Sequence, residues 1–180
     1  MLGWEGLAPC DWDMGDPDRL AYAVFTSGTS GRAQAVGHAH RAIWARGMMH
    51  RGWEGISQTD RVLHAGAFNW TYTLGTGLMD PWTVGATALI PAAGVEAGQL
   101  GRLLERHEAT IFAAAPGVYR QMLRGGLPAL PRLRHGLSAG EAMGADLHAA
   151  WEAATGCAVH EALGMSEVST YLSGRRERRP

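Results

Sequence analysis

Six consecutive residues, Thr26-Ser27-Gly28-Thr29-Ser30-Gly31, place four hydroxyls and two glycines directly after the strand-type residues Tyr22, Val24 and Phe25. Gly28 and Gly31 carry no Cβ and accept positive φ, so backbone at this point can close around a bulky anion. The hydroxyls of Thr26, Ser27, Thr29 and Ser30 beside backbone N–H groups suit phosphate oxygens. A Ser/Gly-rich surface turn shares this composition, but phosphate loops follow buried strands, and this run follows one. The segment is neither a Walker A loop, which needs Gly-Lys-Ser/Thr, nor a dinucleotide Gly-x-Gly-x-x-Gly.

Other segments carry chemistry of their own. Glu167 follows an apolar run, where its hard oxygens suit Mg²⁺ near a phosphate loop; the plainer role is an acid at a helix start, facing the dipole. Ser138-Ala139-Gly140-Glu141 reads locally as a helix-start turn, with Ser138 as cap and Glu141 completing a capping box. His38-x-His40 resembles half of a metal site but lacks a third ligand. Gly164-Met165-Ser166-Glu167-Val168 lacks the second glycine of a hydrolase nucleophile elbow.

These segments need elements to position them. Candidate strands are 21–26, 61–65, 86–90, 110–113, 133–138 and 158–163. Between them Leu100, Leu103, Leu104 and His107 recur with helical period, as do Val118, Tyr119 and Met122, and Leu147, Ala150, Trp151 and Ala154. Gly156 follows the last of these where a C′ residue belongs. Alternation of this kind predicts an α/β fold: a mostly parallel sheet flanked by helices on both faces. Ligands gather beyond the carboxyl ends of such strands, which would bring the Thr26–Gly31 loop, Ser138–Glu141 and Gly164–Glu167 to one rim.

Composition sets the outer bounds. With 46% hydrophobic and 18% charged residues, the 180-residue chain can bury about 70% of its unfolded surface. A formal charge of −1 gives no electrostatic reason to expect nucleic acid or an anionic membrane. Cys10 and Cys157 belong to no Cys-x-x-Cys motif, and neither an 18-residue apolar run nor a signal-peptide pattern is present. Reduced thiols and a cytoplasmic location are the expectation.

Thr26 to Gly31, continuing through Val36 to His40, resembles the Thr-Ser-Gly-Thr-Thr-Gly-x-Pro-Lys-Gly-Val-x-His signature of the adenylate-forming acyl-CoA synthetase superfamily, the AMP-binding enzymes. Three later segments are similar to its motifs in the same order. They are Val84-Gly85-Ala86-Thr87, Ser138-Ala139-Gly140-Glu141-Ala142 in the form seen in benzoate-CoA ligases, and Leu163-Gly164-Met165-Ser166-Glu167 for Gly-x-Thr-Glu. The resemblance implies part of the large domain of such an enzyme. ATP would activate a carboxylic acid to an acyl-adenylate, and coenzyme A would then take the acyl group. It implies phosphate contacts from Thr26 to Gly31, with Arg32 and Gln34 beside them. It implies an adenine pocket from Ser138, Ala139, Gly140, Glu141, Ala162, Leu163, Gly164 and Met165. Ser166 and Glu167 take the catalytic positions, with Glu167 on Mg²⁺. Phe68, Trp70 and Tyr72 are candidates for lining the acyl site, although helix-to-sheet packing explains aromatics there equally well.

Two departures qualify that expectation. Where the superfamily has Pro-Lys-Gly, this chain has Ala33-Gln34-Ala35, and no lysine occurs in it, all 16 basic residues being arginines. The Thr-Gly-Asp segment and the small C-terminal domain of the superfamily are not found. The organisation read from this is an irregular lead-in over 1–18, a partial AMP-binding domain over 19–172 and a basic tail over 173–180, a fragment expected to be inactive by itself in thioester formation. Two further readings stay open: a non-catalytic nucleotide-binding module and, against the absence of Walker signatures, an unrelated phosphate-loop ATPase.

Overall fold

The computed structural model describes residues 6, 8, 10, 11, 13–26 and 33–174. Its frame is a six-stranded sheet in the order β4-β3-β5-β6-β7-β8. The strands β3 (Arg61–Ala65), β4 (Thr87–Leu89), β5 (Ile111–Ala114), β6 (His135–Ala139) and β7 (Val159–Met165) are parallel. An outer strand β8 (Ser169–Gly174) runs antiparallel to β7. The mostly parallel α/β fold expected from the sequence is therefore present.

The middle strands are short and buried on both sides, which is why they read as continuous apolar runs. In β5 all four residues are buried. Phe112 and Ala114 face α5 (Ala97–Arg106), α6 (Pro116–Gly125) and α7 (Ala145–Thr155), packing with Leu104, Tyr119, Met122 and Trp151. Ile111 and Ala113 face the other way, against Trp53, Tyr72 and Leu137. Phe112, Tyr119 and Trp151 form an aromatic knot with centroids 4.7–5.8 Å apart. Gly156 ends α7 in the left-handed region at φ +70°, as its position in the sequence requires.

Strand order explains why helices lie on both faces. From β3 the chain moves outward to β4, then returns past β3 to β5 and continues to β7. Because such crossovers are right-handed, reversing direction moves the connection to the opposite face. The helical run of α3 (Thr71–Leu74), a π turn at Gly75–Met79 and α4 (Asp80–Val84) covers that second face. So does the run of α1 (His40–Ala45), α2 (Gly47–Met49) and a π turn at His50–Glu54. The reversal point lies between β3 and β5.

The first expected strand departs from this plan. β1 (Leu20–Thr26) pairs antiparallel with β2 (Gln34–Ala39) in a separate two-stranded sheet. Thr26 thus ends a hairpin strand rather than a strand of the parallel sheet.

His64, in β3, is buried and edge-on to Tyr72 at 4.4 Å, and neither ring nitrogen has a hydrogen-bond partner among the described residues. Burial pushes its pKa down to about 3. The unfolded chain takes up that proton near the ordinary histidine value, so the contribution of a neutral His64 is whole above that value and is lost as pH falls towards 3. His64→Leu should therefore lessen the acid sensitivity of folding by about 1.4 kcal/mol per pH unit over this window, measured by urea unfolding at stepped pH. An identical pH slope in parent and variant would refute it.

Candidate active site

A side chain of the hairpin reaches the turn at the end of β7. Tyr22 and His38 are cross-strand partners and stack at 4.8 Å with their planes 11° apart. His38 Nε2 then lies 2.7 Å from the Ser166 carbonyl oxygen. Thr26 and Gln34 are the last facing pair of β1 and β2, so both stand at the mouth of the connecting loop. Ser27, Gly28, Thr29, Ser30, Gly31 and Arg32 lie outside the described residues.

At the carboxyl end of β6 the chain turns through Gly140 at φ +100°. A Cβ there would sit 2.8 Å from the Trp70 ring, so the close approach requires glycine as much as the dihedral does. Trp70, Tyr72, Ala139, Gly140, Gly164, Met165 and Ser166 line a cleft of about 200 Å³. The structure thus brings the Gly140 and Gly164–Ser166 segments to one rim with two of the three aromatic candidates. Phe68 is half-buried and does not line this cleft. Tyr72 also spends its hydroxyl on the Leu137 carbonyl at 2.9 Å, so it serves core and cleft together.

Ser138 differs from expectation. It is fully buried within β6, and its hydroxyl has no partner among the described residues. It does not cap a helix: α7 begins at Ala145 behind Gly144, with no side-chain cap. Glu141 is exposed. A box-like contact occurs instead at α5, where Gln99 Oε1 accepts the Glu96 N–H at 2.9 Å.

Glu141, Ala162 and Leu163 line a second, larger cleft of about 580 Å³ with Glu161 and Leu172. Glu161 is a candidate site residue that sequence reasoning missed, since within an apolar strand it carried no motif signal. Its carboxylate accepts the Met143 N–H at 2.7 Å and lies 2.9 Å from His148 Nε2. The result is an oriented acceptor against an apolar wall.

Ser166, Glu167 and Val168 form the turn between β7 and β8, so Glu167 follows a strand but does not begin a helix. Gly164 is required here because a Cβ would overlap the Ser169 carbonyl of the returning strand. Glu167 is exposed and faces a third cleft, of about 200 Å³, with Tyr22, His38 and Arg46. Its carboxylate makes no ion pair with any described residue and is available for a hard cation.

Beneath that cleft lies a buried charge cluster. Arg46 grips Asp80 with two N–H groups, one of them at 2.8 Å, and also donates to Ser169 Oγ. Burial alone would raise the Asp80 pKa, but hydrogen bonds from His50 and Arg46 outweigh it and hold the carboxylate below its usual range. Glu54 is pushed well above the usual range by burial and by the Asp80 charge. His50, Glu54 and Asp80 bring ligand atoms within 4.8 Å of one another. Arg46 already occupies the space with its own positive charge, so the cluster is built for a guanidinium rather than a metal.

Fold and clefts define a mostly parallel α/β protein whose openings gather at the carboxyl ends of β6 and β7. The chain matches the AMP-binding enzyme family over residues 4–180, and it belongs to that family. It is 34% identical over 163 residues to a 3-hydroxybenzoate–CoA/4-hydroxybenzoate–CoA ligase of Thauera aromatica, covering 88% of this chain and 31% of the relative. A benzoate CoA ligase from Burkholderia xenovorans LB400 superposes with a TM-score of 0.79 at 27% identity, over 91% of this chain and 33% of that one. The anthranilate CoA ligase AuaEII, solved with anthranoyl-AMP, gives 0.79 at 26%, over 89% and 32%. This chain spans about a third of the length of each.

The charge cluster generates a paired expectation. With its pKa raised, Glu54 contributes most when protonated; that contribution is whole below the ordinary glutamate range and is lost as pH rises through its own raised value. Glu54→Gln should therefore lose less stability than the parent as pH rises above the ordinary glutamate range. Asp80→Asn should lose about 3–5 kcal/mol by leaving Arg46 buried without its counter-charge. Urea unfolding of both variants tests this, and equal losses would refute it.

Proposed function

We propose that this chain is the nucleotide- and acid-binding part of an acid–thiol ligase that activates a small aromatic carboxylic acid. In the first step the acid's carboxylate oxygen attacks the α-phosphorus of ATP, giving acyl-adenylate and pyrophosphate. In the second, the thiol of coenzyme A displaces AMP to form the thioester. The observation that carries the reading is the small cleft walled by Trp70 and Tyr72 that opens at Gly164–Ser166, where β7 enters the turn held to the β1–β2 hairpin. Its modest volume and flat aromatic walls suit one ring, and the relatives named above are ligases of benzoate, hydroxybenzoate and anthranilate.

In this reading Thr26, Ser27, Gly28, Thr29, Ser30, Gly31, Arg32 and Gln34 meet the phosphates. The larger cleft takes the adenine, with Glu141, Ala162 and Leu163 in its lining and Glu161 as acceptor for an amino group; Ala139, Gly140, Gly164 and Met165, the other residues expected at the adenine, line the small cleft, and Ser138 contributes through the strand beneath. Glu167 would hold Mg²⁺ beside Ser166, and the ion would neutralise phosphate charge when bound. Reaction at this site is then a matter of positioning and electrostatics. We place the protein in the cytoplasm; among the described residues no helix is long and apolar enough to cross a membrane. The division at 1–18, 19–172 and 173–180 belongs to the same proposal, and β8 continues to Gly174.

One observation favours a nucleotide-binding module without catalysis. Gln34, exposed beside the loop, offers a neutral amide where the resembled superfamily has lysine. Pyrophosphate exchange dependent on benzoate or 3-hydroxybenzoate is expected for the ligase, whereas ATP binding without exchange, whichever acid is added, would establish the module. Glu167→Gln should weaken Mg·ATP binding while leaving the unfolding midpoint within a degree or so, and unchanged binding would remove Glu167 from the site. Arg32 can supply the missing cation through its fork. Arg32→Ala should then cost roughly tenfold in ATP affinity, the scale of one charged hydrogen bond, and Gln34→Lys should gain less. The reverse ranking by calorimetry would show a loop that has lost its cation.

A further inference from the structure

Glu167 stands on a turn whose two ends are each held by a residue of the segment that follows the phosphate loop. At the first end, the Ser166 carbonyl can only accept, so His38 Nε2 carries the proton and donates across 2.7 Å. At the other end, the Ser169 hydroxyl accepts from Arg46. Neither contact is local: 128 residues separate His38 from Ser166 and 123 separate Arg46 from Ser169. His38 is itself fixed, buried and stacked on Tyr22, the cross-strand neighbour on β1. Ser169 sits at φ +56°, a conformation unusual outside glycine, which its neighbours must hold in place.

We propose that His38 is a positioning residue, assisted by Arg46. It clasps the Ser166–Ser169 turn to the β1–β2 hairpin and thereby keeps the Glu167 carboxylate in register with Thr26 and Gln34, the last facing pair of that hairpin. The histidine touches neither nucleotide nor ion in this role. It acts through Ser166, and its ring serves as a rigid spacer between two sheets that share no strand. Among the described residues the hairpin pairs with no strand of the main sheet, so this hydrogen bond is a direct route by which hairpin and carboxylate sense each other. The inference rests on the Mg·ATP reading only for its consequence in binding; the clasp itself is a property of the free chain.

Two measurements on the 180-residue chain separate these levels. The first is amide hydrogen exchange without nucleotide. His38→Ala should speed exchange in peptides covering 163–171 about five- to tenfold, the weight of one buried hydrogen bond. Peptides covering β5 and β6 should exchange as in the parent, and His38→Gln, whose amide can donate at the same reach, should restore most of the protection. Ser169→Ala, which releases the Arg46 contact without unpairing Asp80, should give a smaller rise in the same peptides. The second is titration with ATP at fixed Mg²⁺ in a double-mutant cycle. His38→Ala should weaken Mg·ATP about fivefold in the parent and by less than twofold in the Glu167→Gln background, because the carboxylate it positions is then gone. Unchanged exchange in 163–171 overturns the clasp. Equal losses in both backgrounds, or no loss in the parent, overturn the positioning role even if exchange rises. If the parent itself binds no Mg·ATP, the proposed function fails, and the exchange result still decides the clasp.

Discussion

A guanidinium buried beneath the cleft constrains everything around it. Arg46 is 4% exposed and cannot lose its charge, so it must be met by an anion and by acceptors for its other N–H groups. Asp80 supplies the anion in a two-pronged grip, Ser169 an acceptor, and Thr76 a more distant one at 3.4 Å. These three partners come from α4, β8 and the π turn that precedes α4. Satisfying one side chain thus ties the helical layer under β3 to the strand that returns from the Glu167 turn. The widened turn at Gly75–Met79 fits the same demand: a Cβ on Gly75 would overlap the guanidinium.

The asymmetry inside that cluster has a physical reason. Two carboxylates face one guanidinium, and both cannot ionise cheaply at such depth. Asp80, which receives the hydrogen bonds of Arg46 and His50, keeps the charge. Glu54, with Thr76 as hydroxyl neighbour at 3.2 Å, is the one driven towards its neutral form. One cation and one anion then remain, close to electrical balance, under an opening whose rim carries a further exposed carboxylate at Glu167.

What could be read from the sequence follows how local the deciding interaction is. The parallel strands were legible because burial on both faces leaves apolar runs, and β3 matches the expected 61–65. The helices α5, α6 and α7 were legible from their period, and Gly156 from the need for a left-handed C-cap. The strands β2 and β8 were not. Gln34–Ala39 and Ser169–Gly174 are polar or mixed segments, largely exposed, whose extended form comes from pairing with a neighbour rather than from their own pattern. The loop at Ser138–Glu141 shows the same limit from the other side. Its residues match a helix-start pattern, but β6 needs Ser138 and Ala139 as paired strand, and tertiary pairing overrides the local capping preference. Glu161, Arg46 and Asp80 bore no motif at all, since their importance exists only once β7, β8 and the helical layer have met.

The Glu167 turn draws these strands of reasoning together, because it is a wall shared by two of the clefts. Ser169 and Thr170 line both the cleft with Trp70 and the cleft with Glu167. An acid held on one side and a phosphate-bound ion on the other would therefore read the position of the same few backbone atoms. Gly164, pressed against the Ser169 carbonyl, leaves that wall no thickness to spare. A left-handed Ser169 is a strained element of the order of 1–3 kcal/mol, and it persists here because Arg46 holds its hydroxyl and the Gly164 contact holds its carbonyl. Strain fixed in this way limits how far the turn can drift, and a carboxylate on so short a turn inherits that limit. The precision of the candidate site is thus set less by the exposed Glu167 than by the buried arginine and histidine behind it.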